Sequence, residues 1–136
     1  MNILVIDGQG GKLGCQMVKS IAEKYPDARL MAVGTNSAAT VAMAKAGAHQ
    51  AATGENPLIV ACRKADIIIG PIGIVIADSL FGEITPAMAV AVAQADAVRI
   101  LMPVNRCDNI VAGVQELSLT ALISDAMAKL EGVMQE

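Results

Sequence analysis

The stretch Met1–Gly14, MNILVIDGQGGKLG, decides the fold that we predict for this chain. Its first half is apolar, and Asp7 follows the run Ile3–Ile6 at the point where a buried strand would end. Glycines stand at positions 8, 10, 11 and 14, and a helical pattern follows them. We call residues 8–14 the glycine loop. A buried strand that leads through such a loop into a helix is the first unit of a nucleotide-binding α/β fold.

The rest of the chain alternates between strand and helix patterns. Strands are predicted at 2–7, 29–33, 48–52, 66–70 and 98–104, and a sixth at 110–114 is left as an alternative. Helices are predicted at 12–24, 38–45, 58–64, 86–95 and 118–135; the buried segment 74–81 fits more than one type, of which a short helix is favoured. This alternation predicts one domain, residues 1–136, with an α/β, doubly wound, Rossmann-like fold. Its mainly parallel sheet has five or six strands, with helices on both faces.

Composition narrows the class of protein. Hydrophobic residues make up 54% of the 136 residues but aromatic residues only 1%, so the core must be built from aliphatic side chains. The ten basic residues are scattered and the net charge is −3, which argues against nucleic-acid binding. The high apolar fraction of so short a chain leads us to expect a homodimer or a higher homo-oligomer, in which an apolar patch is buried between subunits.

The expected location is the cytoplasm. The longest apolar stretch, residues 67–77, is far shorter than the roughly 20 residues needed to cross a bilayer, so no membrane association is expected. The first residues lead directly into a strand and carry no secretory pattern. Three widely spaced cysteines, Cys15, Cys62 and Cys107, indicate reduced thiols rather than a disulfide framework.

Small and polar residues are concentrated in the turns that follow the predicted strands. In a parallel sheet these turns share one edge, which is where ligands bind in this class of fold. The opposite turns carry residues such as Tyr25, Pro26 and Lys64. The candidate residues for binding a nucleotide or another phosphorylated ligand are therefore Asp7, Gly8, Gly10, Gly11, Lys12, Gly14, Thr35, Asn36, Gly70 and Asn105.

The glycine loop itself allows two interpretations. Glycines let a backbone approach a phosphate closely, and the following helix offers free N–H groups and the positive end of its dipole. The same loop can also be a tight strand–helix turn without a ligand. It is not a P-loop, because Leu13 stands where the magnesium-binding Ser or Thr would be.

A complete dehydrogenase is not expected. The second strand is followed by Gly34-Thr35-Asn36 instead of the acidic residue that would bind a ribose hydroxyl. No Tyr-x-x-x-Lys pair is present. The sequence therefore does not identify the cofactor, and the candidates are NAD(P) or another nucleotide.

Other reactive side chains have structural as well as functional interpretations. Arg106 beside Cys107 can lower the pKa of a nucleophilic thiol, although the one histidine, His49, is expected at a helix–strand junction. Cys15 and Cys62 are interpreted as packing residues. The carboxylates that can serve acid–base chemistry, or merely cap helices and face solvent, are Asp7, Glu55, Asp78, Glu83 and Asp108. No metal site is predicted.

Five segments together resemble one known family: NILVIDGQGG (2–11), AVGTNSAAT (32–40), ATGEN (52–56), DIIIGPIGIVIADSLFGEITPAMA (66–89) and PVNRC (103–107). The family contains short bacterial, Rossmann-like proteins catalogued as a domain of unknown function. The resemblance covers residues 2–114, and segment 66–89 is its most specific part. It implies a stand-alone cytoplasmic protein and supplies no activity or catalytic residues.

Three functional hypotheses follow from the sequence. The first is a protein that binds a nucleotide or phosphorylated metabolite at the glycine loop. The second is an enzyme that acts on such a ligand with carboxylates at the same edge of the sheet. The third is an oligomeric scaffold that has kept the fold and lost the ligand.

Overall fold

The computed structural model describes residues 1–104 and 108–136, and strands and helices alternate through them. In chain order they are β1 (Asn2–Asp7), α1 (Lys12–Lys24), β2 (Arg29–Gly34), α2 (Ser37–Ala46), β3 (Gln50–Thr53), α3 (Glu55–Lys64), β4 (Ile67–Pro71), a 3₁₀ turn (Ile72–Val75), α4 (Pro86–Gln94), β5 (Val98–Met102) and α5 (Leu119–Met134).

The five strands form one parallel sheet in the order β3-β2-β1-β4-β5. The predicted doubly wound α/β fold is therefore confirmed. The chain builds outward from β1 through β2 to β3, then returns to the other side of β1 as β4. The order of the strands reverses between β1 and β4, and a crevice beyond the carboxyl ends of the strands forms at such a point.

Both faces of the sheet are covered by helices, which explains the unbroken apolar run of β1. Ile3 and Val5 belong to a core shared with α1, α2 and α5. Leu4 and Ile6 belong to a second core shared with α3 and α4. A strand buried on both faces needs apolar side chains in both directions, as parallel sheets generally do. Every side chain from Ile3 to Ile6 is fully buried.

Of the two predicted alternatives, the five-stranded sheet is correct and the sixth strand at 110–114 is wrong. These residues form turns and irregular backbone, and the side chain of Ile110 is 94% exposed. The apolar residues of this segment match a strand pattern, but no described strand forms hydrogen bonds with it.

The short helix favoured at 74–81 is also wrong for most of its length. The 3₁₀ turn ends at Val75, and turns follow up to α4. Asp78, Leu80 and Phe81 have φ values of 65°, 56° and 57°, which a right-handed helix cannot accommodate. The helix predicted at 58–64 begins three residues earlier, so that Pro57 lies at the third position of α3. The first N–H groups of a helix have no internal acceptor, so proline is tolerated there.

The start of α4 is confirmed. Thr85 precedes Pro86, and the Thr85 hydroxyl accepts the backbone N–H of Met88 at 3.2 Å, as an N-terminal cap should.

Within the described residues, no helix is long and apolar enough to cross a membrane.

Candidate functional site

The glycine loop lies at the carboxyl end of β1, next to the residues that follow β2. Thr35 donates its backbone N–H to the carbonyl of Asp7 at 3.0 Å, which extends the pairing of the two strands into the turns. Asn36 then caps α2 by accepting the N–H of Ala39 at 2.9 Å. Eight of the ten predicted binding residues thus lie together at one edge of the sheet: Asp7, Gly8, Gly10, Gly11, Lys12, Gly14, Thr35 and Asn36.

Asp7 holds the two ends of the glycine loop together. Its Oδ1 accepts the N–H of Gly8 at 2.8 Å, and its Oδ2 accepts the N–H of Gly14 at 2.7 Å. Burial raises the pKa of this carboxyl above its ordinary 3.8, and the negative charge of Glu83 adds to the rise. The hydrogen bonds from the backbone N–H groups of Gly8 and Gly14 oppose it. Asp7 is therefore a structural anchor that takes one N–H from the first turn of α1.

At three of the four glycines of the loop, a side chain would collide with other parts of the protein. Gly11 has φ 74°, and a Cβ there would lie 2.6 Å from the Cα of Ala39. A Cβ on Gly14 would lie 2.7 Å from the Cβ of Asp7. A Cβ on Gly8 would lie 2.9 Å from a carboxylate oxygen of Glu83. Close packing of α1, α2 and Glu83 against the loop requires these glycines, with or without a ligand.

Gly10 differs from the other three. It is exposed, its φ lies outside the left-handed region, and a Cβ built on it would meet no atom within 4 Å. Its N–H, like those of Lys12 and Leu13, has no acceptor among the residues that the structure describes. Lys12 and Leu13 are the first two residues of α1, where N–H groups point away from the helix. Three neighbouring donors are thus left open.

Glu83 completes this edge from a distant part of the sequence. One of its oxygens, Oε1, accepts the N–H of Gln9 at 3.0 Å, the side-chain amide of Asn36 at 3.0 Å and the hydroxyl of Thr35. Burial opposes ionisation of Glu83, but these three hydrogen bonds outweigh it and lower the pKa of the carboxyl. The sequence marked Glu83 only as one of several carboxylates.

Residues 76–85, which we call the cover segment, bring Glu83 to the loop. Its ends are tied by the N–H of Asp78 to the carbonyl of Ile84 at 2.7 Å and by the return bond from Ile84 to Ser79 at 3.2 Å. Leu80 and Ile84 are buried in the core, whereas Phe81 is fully exposed. The buried pair fixes the segment, and Glu83 is held between Gly82 and Ile84, facing the glycine loop.

Two predicted binding residues are placed elsewhere or cannot be placed. Gly70 lies inside β4 rather than in the turn after it, and a Cβ there would lie 2.5 Å from the carbonyl oxygen of Ile6. Its lack of a side chain is explained by strand packing. Asn105, with Arg106 and Cys107, lies outside the described residues.

The remaining acid–base candidates do not gather at the glycine loop. Glu55 begins α3 and accepts the hydroxyl of Thr85, linking the starts of two helices. Asp78 and Asp108 are exposed turn residues. His49 precedes β3, as expected for a helix–strand junction, and its Nδ1 accepts the N–H of Leu30 at 3.0 Å.

The two described cysteines differ in exposure. Cys62 is buried, and burial raises the pKa of its thiol to about 11. Cys15 is half-buried on α1. Over residues 1–104 and 108–136, no three His, Cys, Asp or Glu side chains come close enough together to hold a metal ion.

A second concave region lies away from the loop. It is a groove of about 380 Å³ between β3 and α3, lined mostly by the apolar side chains of residues from β2, β3 and α3, with Gln50 and Lys64 among them. It shares no residue with the glycine loop, and one of its strands, β3, lies at the edge of the sheet.

Comparison with known proteins identifies a family but assigns no reaction. A search of curated proteins finds no match to the chain. One family model covers residues 2–135, nearly the whole length. The chain therefore belongs to the family described as a domain of unknown function, DUF3842.

Proposed function

We propose that this protein binds a nucleotide or another phosphorylated metabolite at the glycine loop. A phosphate group would accept the open N–H groups of Gly10, Lys12 and Leu13 at the start of α1. This position lies beyond the carboxyl end of β1, next to the point where strand order reverses. N–H donors and the positive end of a helix dipole together favour an anion there.

The observation that supports the proposal most strongly is that no packing contact explains glycine at position 10. Packing explains the other three glycines of the loop, but nothing within 4 Å of Gly10 would obstruct a side chain. A ligand that approaches the backbone closely supplies the missing reason for glycine at this position. The exposed cation of Lys12, directly at the start of α1, adds favourable charge for a phosphate.

The charges around the loop also limit which anions fit. Asp7 and Glu83 place carboxylates on two sides of it, and Asp7 already uses the Gly14 N–H. Inorganic phosphate therefore binds here with a less favourable free energy than it would at a loop without acidic neighbours. A ligand that adds contacts through a sugar or base is favoured over inorganic phosphate.

Calorimetry after a thermal-shift screen tests the proposal. The panel holds NAD(H), NADP(H), ATP, FMN and sugar phosphates, and the variants are Gly10→Val and Gly132→Val. Both glycines lack an atom within 4 Å of a built Cβ and lack positive φ, but Gly132 is remote in α5. We expect at least one panel member to bind the wild type and Gly132→Val equally, and Gly10→Val about tenfold more weakly or worse.

Two results would contradict the proposal. One is the absence of binding across the panel at millimolar concentration, which would favour a scaffold without a ligand. The other is equal binding by Gly10→Val and the wild type, which would move the ligand away from the loop. Turnover of a bound panel member would instead favour the enzyme among the three hypotheses.

We also propose that copies of the chain associate. Several large apolar side chains are exposed, above all Phe81 and Ile110. Burial of such side chains between subunits would remove them from water. Light scattering should give a mass above one chain, and the mass of a single chain would refute association.

A further inference from the structure

The carboxylate of Glu83 is fixed through only one of its two oxygens. All three of its hydrogen bonds, from Gln9, Thr35 and Asn36, reach Oε1. Oε2 has no donor among residues 1–104 and 108–136, and no described cation pairs with this carboxylate. The side chain is therefore held rigidly while an anionic oxygen keeps its lone pairs open.

The three donors that hold Glu83 are themselves held. The Asn36 amide also donates to the carbonyl of Gln9 at 2.8 Å, and its oxygen caps α2. The backbone of Thr35 is tied to Asp7 at 3.0 Å. The position of Oε1 is thus set by the backbone of two strand ends, which leaves Oε2 a preorganised acceptor.

An ionised carboxylate only accepts hydrogen bonds, so whatever Oε2 binds must be a donor. Glu83 contacts Gln9, the residue next to the open N–H of Gly10. A ligand with its phosphate on that N–H would carry its adjoining groups past Glu83. In a sugar phosphate or a nucleotide, the hydrogen-bond donors nearest the phosphate are the hydroxyl groups of the sugar.

We infer that Glu83 is a specificity-determining residue, whose Oε2 accepts the hydroxyl groups of a ribose attached to the bound phosphate. The inference rests on the proposed function and narrows its ligands to ribosyl phosphates, such as ribonucleotides. Thr35 and Asn36 directly follow β2, where the sequence offers no acid. In the structure the acid comes from the cover segment: it is Glu83, which lies 47 residues after Asn36 in the chain.

The test is calorimetry with four probes: ADP, 2′,3′-dideoxy-ADP, ribose 5-phosphate and pyrophosphate. In the wild type we expect ADP to bind at least tenfold more tightly than the dideoxy form, because a hydrogen bond to a charged acceptor is lost. Ribose 5-phosphate, which keeps hydroxyls but has no base, shows whether the sugar alone is sufficient. Pyrophosphate reports the phosphate site without any sugar.

The matched variants are Glu83→Gln and Glu23→Gln. The amide oxygen of Glu83→Gln can still accept from Gln9, Thr35 and Asn36, so the fold should be kept, and a melting curve checks this. Glu23 is an exposed residue of α1 and controls for the lost charge. We expect Glu83→Gln to bind ADP no better than dideoxy-ADP, and Glu23→Gln to behave like the wild type.

The possible failures are distinguishable. Equal wild-type affinity for ADP and dideoxy-ADP would overturn the role of Glu83 and leave phosphate binding intact. Tighter binding of both by Glu83→Gln would mean that Glu83 only repels or displaces an anion, which also overturns it. No binding of any probe, pyrophosphate included, would overturn this inference and the phosphate site together.

Discussion

The glycine loop and the cover segment meet at the same edge of the sheet but differ in how plainly the sequence marks them. The loop places glycine where packing demands it, as at Gly11, and its spacing is visible in the sequence. The cover segment has left-handed backbone at Asp78, Leu80 and Phe81, none of which is glycine. A motif can thus locate a candidate site while the carboxylate that distinguishes the site, Glu83, comes from a segment without a motif.

The largest effect is expected within the glycine loop itself. Gly11→Val adds a side chain at φ 74° with its Cβ 2.6 Å from the Cα of Ala39, and we expect a loss of about 3 kcal/mol or more of unfolding free energy. Gly10→Val should change it by less than about 0.5 kcal/mol. Urea denaturation of both variants measures the difference. Equal stability of the two would remove the distinction between packed and open glycines.

Asp7→Asn should lower the free energy of unfolding by about 2 kcal/mol, because an amide NH2 cannot accept either of the two N–H groups that Asp7 binds, whereas both oxygens of a carboxyl group can accept, ionised or protonated. The raised pKa of Asp7 means that the folded state binds its proton more tightly than the unfolded state. Its contribution is fully present below pH 3.8 and is lost as pH rises through the raised pKa. The cost of Asp7→Asn should therefore be larger at pH 3.5 than at pH 7.

Glu83→Ala should show the opposite pH trend. The lowered pKa means that the contribution of Glu83 is present above its ordinary 4.5 and is lost as pH falls through the lowered value. We expect a cost of about 1 kcal/mol at pH 7, since the carboxylate is partly exposed, and less at pH 3.5. Denaturation curves at both pH values check this. Parallel trends for Glu83→Ala and Asp7→Asn would contradict the assigned environments.

The smallest effect is expected at the tip of the cover segment. Phe81 combines φ 57° with full exposure, and asparagine tolerates that backbone better, so Phe81→Asn should stabilise the protein by about 0.5 kcal/mol. Leu80 has nearly the same φ but is buried, so Leu80→Asn should cost about 3 kcal/mol. Thermal melting compares the two. Destabilisation by Phe81→Asn would mean that Phe81 packs against something, such as a second copy.

Much of the fold could be predicted because its signals are local. The apolar run of β1, the glycine spacing and the Thr85–Pro86 helix start are each read within a few residues. The false strand at 110–114 arose because apolar composition says nothing about whether a neighbouring strand exists. The false helix at 74–81 arose because left-handed backbone at residues such as Leu80 leaves no mark in the sequence.

The candidate site was predictable only in part for the same reason. Gly10, Lys12 and Asn36 lie in the turns where the strand pattern places them. That Gly10 alone is open, while Gly11 is packed, depends on contacts with α2 that spacing cannot reveal. The approach of Glu83 depends on the path of the whole cover segment.

The most direct test of the central claim is a titration followed by amide NMR, with ¹⁵N-labelled protein and ADP as the probe. The amide signals of Gly10, Lys12 and Leu13 should shift in proportion to occupancy, because a phosphate accepts their open N–H groups. Those of Gly8 and Gly14, already bonded to Asp7, should move less. Unchanged signals for the first three residues at saturating ADP, with shifts confined to another surface, would contradict the account.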